Sequence, residues 1–140
     1  MQIATRSKKV PAAQRLRRYA AAALPAAAEV TLRVCTETEA RRLNRNFRGK
    51  DYATNVLSFS YEAGKLTRGD LVLCAAVVAR EARAQGKPLE AHYAHLAVHG
   101  ALHLAGYEHE RAAEARIMEG REQEIMARLG FPDPYAETSQ

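Results

Sequence analysis

Three of the five histidines in this 140-residue chain follow the spacing H-x-x-x-H-x-x-G-x-x-H, at His99, His103 and His109. On a helix, His99 and His103 lie one turn apart on the same face, so both imidazoles can bind one ion. Gly106 can end that helix in the left-handed conformation and reverse the chain, which brings His109 back as a third ligand. Three protein ligands with an open fourth position are typical of catalytic zinc. The spacing therefore predicts one zinc ion per chain.

The other two histidines lie upstream on the same predicted helix. His95 precedes His99 by one turn on the same face, where it can orient a ligand, contact a substrate or pack as a polar residue. Among these roles we assign it to substrate binding. For His92 we expect a packed polar side chain with no direct role in the chemistry.

The residue after the first histidine bears on the reaction. A zinc peptidase with this spacing needs a glutamate there, because that carboxylate takes a proton from the activated water. Gly100 stands at that position, so a peptidase would require a displaced base. A phosphodiester asks less of the protein, because the ion acidifies a water while a nearby cation stabilises the developing charge. The sequence favours a nuclease and leaves the peptidase as an alternative.

A non-catalytic protein with a structural zinc is a second alternative. Such a closed site requires a fourth protein ligand. The candidates for it are Cys35, Cys74, Glu108 and Glu110. Two cysteines in a chain of this length indicate reduced thiols of a cytoplasmic protein rather than a disulfide scaffold.

The elements that must position these residues follow from periodicity. Alternating or β-rich runs predict strands at residues 30–35, 54–60 and 70–74, and residues 1–5 can add an edge strand. Apolar positions at helical spacing predict helices from 36 to about 46 and at about 75–85, 90–105 and 111–129. Strands come mostly before helices, so the fold class is α+β, with a small mixed sheet packed with helices.

Local signals refine these elements. Thr36 or Thr38 can cap the helix that ends near 46, and residues 64–69 read as a loop. The apolar stripe of that helix is predicted to be Ala40, Leu43 and Phe47. An N-terminal helix is predicted from Leu16, Tyr19, Ala20, Ala23 and Leu24, which share one face. Helix C-caps are predicted at Gly106 and Gly130.

The length predicts a single domain over residues 1–132, followed by a disordered tail at 133–140. No window approaches the roughly 20 apolar residues that a membrane span needs. The basic, alanine-rich start is interrupted by Pro25 and fits an ordinary helix better than a signal peptide. We therefore expect a cytoplasmic protein with no membrane partner.

The motif "HGALHLAGYEH" closely resembles the H-G-x-L-H-L-x-G-Y-D-H signature of the YbeY family, bacterial metal-dependent endoribonucleases that act in ribosomal RNA maturation. The similarity extends to "LNRNFRGKDYATNVLSFS" and to "GDLVLC", and it covers about residues 29–129. The resemblance implies a histidine helix in the core beside the sheet. It also implies zinc bound by His99, His103 and His109, with Arg48 as the basic catalytic residue at the cleft.

The resemblance further implies the substrate. The expected activity is zinc-dependent cleavage of single-stranded ribosomal RNA, in processing of the 16S 3′ end and ribosome maturation, with the small ribosomal subunit or its proteins as a further partner. The net charge of +5 permits a polyanionic substrate. Arg41 and Arg45 precede Arg48 by seven and three residues, so a helix would align the three as a track for phosphates. We expect Arg41 and Arg45 to contact the substrate.

Two positions depart from the family pattern. Glu108 stands where an aspartate is usual, which keeps the charge but lengthens the arm beside His109. Asn55 stands where the family has the aspartate of T-D-V-L-S-F, so a carboxylate is lost near the second predicted strand. Neither residue is a predicted metal ligand.

Overall fold

The computed structural model describes residues 2–3, 10–61, 66–107 and 110–136 of the chain. The strands in this part are β1 (Gln2–Ile3), β2 (Glu29–Cys35), β3 (Val56–Tyr61) and β4 (Arg68–Cys74). The helices are α1 (Ala13–Ala21), α2 (Glu37–Arg48), α3 (Ala75–Gln85), α4 (Leu89–Leu104) and α5 (Ala112–Arg128).

The described strands form one four-stranded sheet in the order β1-β2-β4-β3. β2 pairs in parallel with both β1 and β4, whereas β3 pairs antiparallel with β4. The sheet is therefore mixed, and β3 lies at its edge. The predicted α+β class with a small mixed sheet is confirmed.

Helix α4, which carries the histidine motif, lies at the centre of the main hydrophobic core. It contacts α1, α3 and α5 as well as strands β3 and β4. Because it is covered on several sides, most of its residues are buried, and it lacks the polar face of a surface helix. Its largest buried side chains include Tyr93 and Leu102, and those of other elements in the same core include Tyr19, Leu71 and Met118.

A smaller apolar cluster covers the opposite face of the sheet. It joins Ala40 of α2 to Leu57, Val72, Cys35 and Cys74 from the strands. The two cysteines are buried free thiols, and they face each other in the register of β2 and β4. Alternation along the strands puts both cysteines on the face away from α4. They therefore lie apart from the histidines.

Several local predictions are confirmed. Thr36 caps α2, since its side chain accepts a hydrogen bond from the Glu39 backbone N–H at 3.3 Å. Gly106 and Gly130 have φ values of 105° and 90°, as expected for glycines that end helices.

Other boundaries differ from the predictions. Helix α2 continues to Arg48 and ends at Gly49 with φ 69°. Strand β4 begins at Arg68, inside the predicted loop 64–69, because pairing with β2 and β3 extends it. Phe47 is not part of the buried stripe of α2: its side chain is 67% exposed.

The C-terminal segment after α5 contacts the rest of the protein as far as Tyr135. Phe131 contacts Tyr19 edge to face at 5.4 Å between ring centroids, and Lys87 Nζ donates to the Pro134 carbonyl at 2.8 Å. These contacts include residues that the sequence assigned to a disordered tail, and residues 137–140 of that tail lie outside the described residues. None of the helices in the described part of the chain combines the length and hydrophobicity of a bilayer span.

Candidate metal centre

The imidazoles of His99 and His103 lie side by side on α4. Their ring centroids are 4.8 Å apart and their planes are nearly perpendicular, at 83°. Both rings line one open cleft of about 470 Å³. The helical spacing of four residues therefore brings together two of the three predicted ligands, while His109 lies outside the described residues.

Each of these two imidazoles has an acceptor at Nδ1. Nδ1 of His99 lies against the Glu122 carboxylate, and Nδ1 of His103 is 3.0 Å from the Tyr107 carbonyl oxygen. A carbonyl oxygen cannot donate, so Nδ1 of His103 carries a hydrogen and Nε2 of the neutral ring carries the lone pair. A carboxylate favours the same tautomer in His99. Histidines that bind metals usually have this arrangement, with the other ring nitrogen donating to a carboxylate or carbonyl.

Glu122 was not predicted from the sequence. It lies on α5 and is fully buried. Burial alone would raise its pKa, but the imidazoles of His95 and His99 and the Tyr135 hydroxyl lower the pKa to about 2. Glu122 is therefore ionised at neutral pH, and a buried carboxylate is tolerated here because hydrogen bonds surround it.

The C-terminal segment supplies part of this environment. Tyr135 donates its hydroxyl hydrogen to Glu122, and its ring packs edge to face against His95 at 5.3 Å between centroids. Burial and the Glu122 carboxylate raise the pKa of Tyr135, so the phenol stays protonated and can donate. A segment assigned to a tail thus helps to fix the carboxylate behind His99.

His95 lies in this cluster and not in the larger cleft. Its Nε2 is 3.6 Å from the Glu122 carboxylate, and its ring centroid is 6.2 Å from that of His99. Ligand atoms of His95, His99 and Glu122 all lie within 4.8 Å of one another, so this group could also hold a metal ion. The structure thus offers an alternative ligand set that the sequence motif does not reveal, with His99 in both sets.

His92 is a packed polar residue, as its position on the buried helix suggests. It is buried, and its Nε2 is 2.9 Å from Glu81. Burial lowers its pKa, against the opposing effect of the Glu81 carboxylate.

Arg48 lies at the rim of the cleft that His99 and His103 line. Its guanidinium donates a hydrogen bond to the Ser58 carbonyl of β3 at 2.6 Å. A guanidinium has five N–H donors in a fixed fork, so this bond holds the group at the strand edge while other donors can meet a phosphate.

The other two predicted substrate arginines are exposed on α2 and do not line this cleft. Arg41 forms a two-pronged salt bridge with Asp51, at 2.9 and 3.0 Å. The Asp51 carboxylate partly neutralises the charge with which Arg41 could attract a phosphate. Arg45 lies one turn further along the same helix.

Asn55, one of the departures from the family pattern, bridges two parts of the site. Its side-chain amide donates to both carboxylate oxygens of Glu81 at 3.0 and 3.2 Å, and its Oδ1 accepts from the Val56 N–H at 2.6 Å. An aspartate could not donate to Glu81. The amide is thus suited to a position beside a carboxylate that also contacts His92.

Gly100 faces the sheet. A Cβ atom there would overlap Leu71 Cδ1 and would lie 3.1 Å from Ser58 Oγ and from Val56 Cγ2. The close approach of α4 to β3 and β4 explains why the position lacks a side chain. A glutamate there would point into the core, so this helix cannot carry the base of a peptidase at that position.

The positions of the candidate fourth ligands limit which of them could complete a structural zinc site. Cys35 and Cys74 pack in the cluster on the opposite face of the sheet. Glu110 lines the cleft together with His99 and His103, and Glu108 lies outside the described residues. Of the candidates in the described part of the chain, Glu110 alone shares the cleft.

The family model and the relatives that match this chain carry the same family name. The family model described as Endoribonuclease YbeY matches residues 2–130. A protein named Endoribonuclease YbeY from Aromatoleum aromaticum is 59% identical over 126 residues, covering 90% of this chain and 82% of the relative. Its namesake from Methylobacillus flagellatus is 51% identical over 136 residues, covering 97% and 91% of the two chains.

A solved structure shares the fold. The solution structure of TM1509 from Thermotoga maritima aligns over 96% of this chain and 97% of its own, with a TM-score of 0.52 and 22% sequence identity.

Proposed function

Because this chain belongs to the Endoribonuclease YbeY family, it is an enzyme that hydrolyses RNA, and we propose that it does so with one zinc ion held by His99, His103 and His109. The observation that carries the proposal is the pair of Nδ1 contacts, from His99 to Glu122 and from His103 to Tyr107. These contacts hold Nδ1 of each ring, so Nε2 is the nitrogen with which each ring would bind the ion.

The donor set fits zinc. Imidazole nitrogen is a common ligand of zinc, and three histidines leave a position open to substrate or water. When bound, the ion would supply Lewis-acid chemistry, polarising a phosphoryl oxygen and lowering the pKa of a water.

Residues of the protein would bind the phosphate and position the metal ligands. Arg48 would hold a nonbridging oxygen of the scissile phosphate and stabilise its developing negative charge, because its guanidinium is always protonated. Glu122 and Tyr107 would keep the two imidazoles in place, so that the rings need not reorient when substrate binds. The nucleophile is either a water or the 2′-hydroxyl of the RNA, and the ends of the products distinguish the two.

For the substrate, we propose single-stranded regions of ribosomal RNA, with processing of the 16S 3′ end during ribosome maturation in the cytoplasm. The open cleft supports this choice, because a strand can enter it without a closed pocket for one base. The partner would be the small ribosomal subunit or one of its proteins.

The test is cleavage of matched single-stranded and duplex RNAs by the purified protein. We expect cleavage of the single strand with zinc, loss of cleavage with a chelator, and recovery on adding zinc back. His103→Ala should be inactive, while Ile117→Ala, at an exposed position on α5, should match the parent. Full activity in excess chelator, or in His103→Ala, would refute the metal assignment. Cyclic phosphate ends would identify the 2′-hydroxyl as the nucleophile.

A further inference from the structure

Beside the metal cleft, around the edge strand β3, lies a second groove of about 470 Å³. Three aromatic residues line it: Phe47 from the end of α2, and Phe59 and Tyr61 from β3. We call it the aromatic groove. Arg48 contributes positive charge to its wall, whereas Arg33 is paired with Glu39 at 2.7 Å and Asp70 also lines the groove.

Two of the three rings of the aromatic groove are exposed, whereas Phe59 is half-buried. Phe47 is 67% exposed and Tyr61 is 51% exposed, although large apolar rings are normally buried. Phe47 packs edge to face on Phe59, at 5.5 Å between centroids, and the Arg48 guanidinium lies 5.7 Å from the centre of the Phe59 ring. The groove therefore combines aromatic rings with a positively charged guanidinium. In the free protein, the exposed rings lose the stabilisation that burial of their apolar surface would give.

The groove is continuous with the metal cleft. Arg48, Ser58 and Ser60 line both cavities. Alternation along β3 directs Ser58 towards α4, where its hydroxyl donates to the Gly100 carbonyl at 3.1 Å, and directs Phe59 to the other face. Arg48 lies at the edge between the two faces, so a chain that leaves the metal cleft past Arg48 enters the aromatic groove.

The chemistry of this surface fits single-stranded RNA. Bases of unpaired strands stack on exposed aromatic rings and on arginine, and such stacking is tolerant of sequence. Among the described carboxylates, Asp70 accepts from the Tyr61 hydroxyl and Glu39 pairs with Arg33 at 2.7 Å. A duplex cannot present its base faces in this way.

We propose that the aromatic groove binds nucleobases of the RNA strand next to the scissile phosphate, by stacking on Phe47 and Tyr61. The proposal rests on the proposed function, because it takes the scissile phosphate to lie between Arg48 and the histidines. It gives the enzyme a physical reason to prefer unpaired RNA, in addition to the shape of its cleft.

The test is single-turnover cleavage of a labelled single-stranded RNA of about ten nucleotides by the zinc-loaded protein, with enzyme concentration varied. Phe47→Ala should raise the half-saturating enzyme concentration by roughly 5- to 20-fold and change the maximal rate by less than about 2-fold. Phe47→Trp should retain parent affinity, whereas Phe47→Leu should lose it because it keeps bulk without a ring. Ile117→Ala is the matched control, since Ile117 is 62% exposed on α5 and does not line the groove.

Abasic substitutions along the RNA add a specific signature. At the nucleotide that stacks on Phe47, removal of the base should weaken binding to the parent but should not weaken binding to Phe47→Ala any further. The same comparison with Tyr61→Ala should identify a neighbouring nucleotide.

The outcomes separate the two proposals. A parent protein that fails to cleave RNA with zinc would refute the proposed function. If the parent is active, two results would overturn the proposal for the aromatic groove alone. One is an unchanged half-saturating concentration in both Phe47→Ala and Tyr61→Ala, and the other is equal RNA affinity of Phe47→Leu and Phe47→Trp. Unchanged RNA affinity would leave a protein partner as the occupant of the groove.

Discussion

The carboxylate of Glu122 on α5 lies against Nδ1 of His99 on α4, 23 positions earlier in the chain. The two residues belong to different helices, and the contact exists because α5 packs across the histidine helix in the core. A buried carboxylate at this nitrogen fixes the ring orientation and makes the other nitrogen more basic. We therefore expect Glu122 to act on the metal through His99.

Glu122→Gln should weaken zinc binding by roughly 10- to 100-fold, because the amide keeps an acceptor for His99 but loses the negative charge. The measurement is the zinc dissociation constant, determined by competition with a chromophoric chelator, with the urea unfolding of the metal-free protein measured in parallel. Glu124→Gln is the control, since Glu124 lies on the same helix in an exposed pair with Arg121. Zinc affinity equal to that of the parent would show that Glu122 serves packing alone.

A second prediction distinguishes the two ligand sets that share His99. If His103 is a ligand and His95 is not, His103→Ala should lose most of the bound zinc, while His95→Ala should retain about one zinc per chain. Zinc content after gel filtration and the dissociation constant provide the readouts. The reverse pattern would assign the ion to His95, His99 and Glu122, the alternative group in the described residues.

Arg48 should affect catalysis more than metal content. Arg48→Ala should lower the maximal cleavage rate by roughly 100-fold, because one donor to the transition state is lost. Arg48→Lys should recover part of the rate, since lysine restores the charge without the planar fork. Arg41→Ala is the comparison, because Arg41 pairs with Asp51 and does not line the cleft, so its loss should change the rate little. A normal rate for Arg48→Ala, with zinc content unchanged, would contradict the assignment.

The sequence predicted the parts of the site that lie close together in the chain. Periodicity located α4, and helical spacing placed His99 beside His103 without any knowledge of the rest of the fold. The cap at Thr36 and the glycines at helix ends were similarly predictable, because they depend on local backbone chemistry.

The parts that the sequence did not reveal depend on contacts between distant elements. Glu122 lies four residues after Met118 and three before Ile125, so helical spacing places it on the buried stripe of α5. That spacing does not show that the buried carboxylate meets a histidine of another helix. Phe47 fits the apolar spacing of α2, yet its ring is exposed and packs edge to face on Phe59 of the edge strand β3. Such placements follow from packing between helices and sheet, which periodicity within one element does not encode.

His92 should make stability depend on pH. Burial lowers its pKa in the folded protein below the ordinary value near 6.5, so between these values the unfolded state binds more protons. The stability that His92 contributes is therefore complete above pH about 6.5 and is lost as the pH falls through its folded pKa.

The measurement is the free energy of unfolding in urea at about pH 7.5 and pH 5.5, with chelator present so that the predicted metal ligands do not add a metal-linked effect. The decrease between the two values should be smaller in His92→Gln than in the parent. An equal decrease would show that protonation of His92 does not oppose folding.

Gly100 and Gly120 provide opposite outcomes for the same substitution. Both lie inside helices, where alanine is favoured over glycine by roughly 1 kcal/mol. A Cβ at Gly120 would meet no atom within 4 Å, so Gly120→Ala should raise the free energy of unfolding by up to about 1 kcal/mol.

At Gly100 the new Cβ would overlap buried Leu71, so Gly100→Ala should lower the free energy of unfolding by about 1 to 3 kcal/mol despite the gain in helix propensity. Gly100→Ala combined with Leu71→Val should recover part of this loss, because the smaller side chain removes the overlap. Denaturant unfolding of these three variants and the parent measures each effect. Gly100→Glu should likewise lose stability and RNA cleavage without gaining peptidase activity, since its carboxylate would have to enter the core. A Gly100→Ala variant as stable as Gly120→Ala would show that α4 can move away from the sheet.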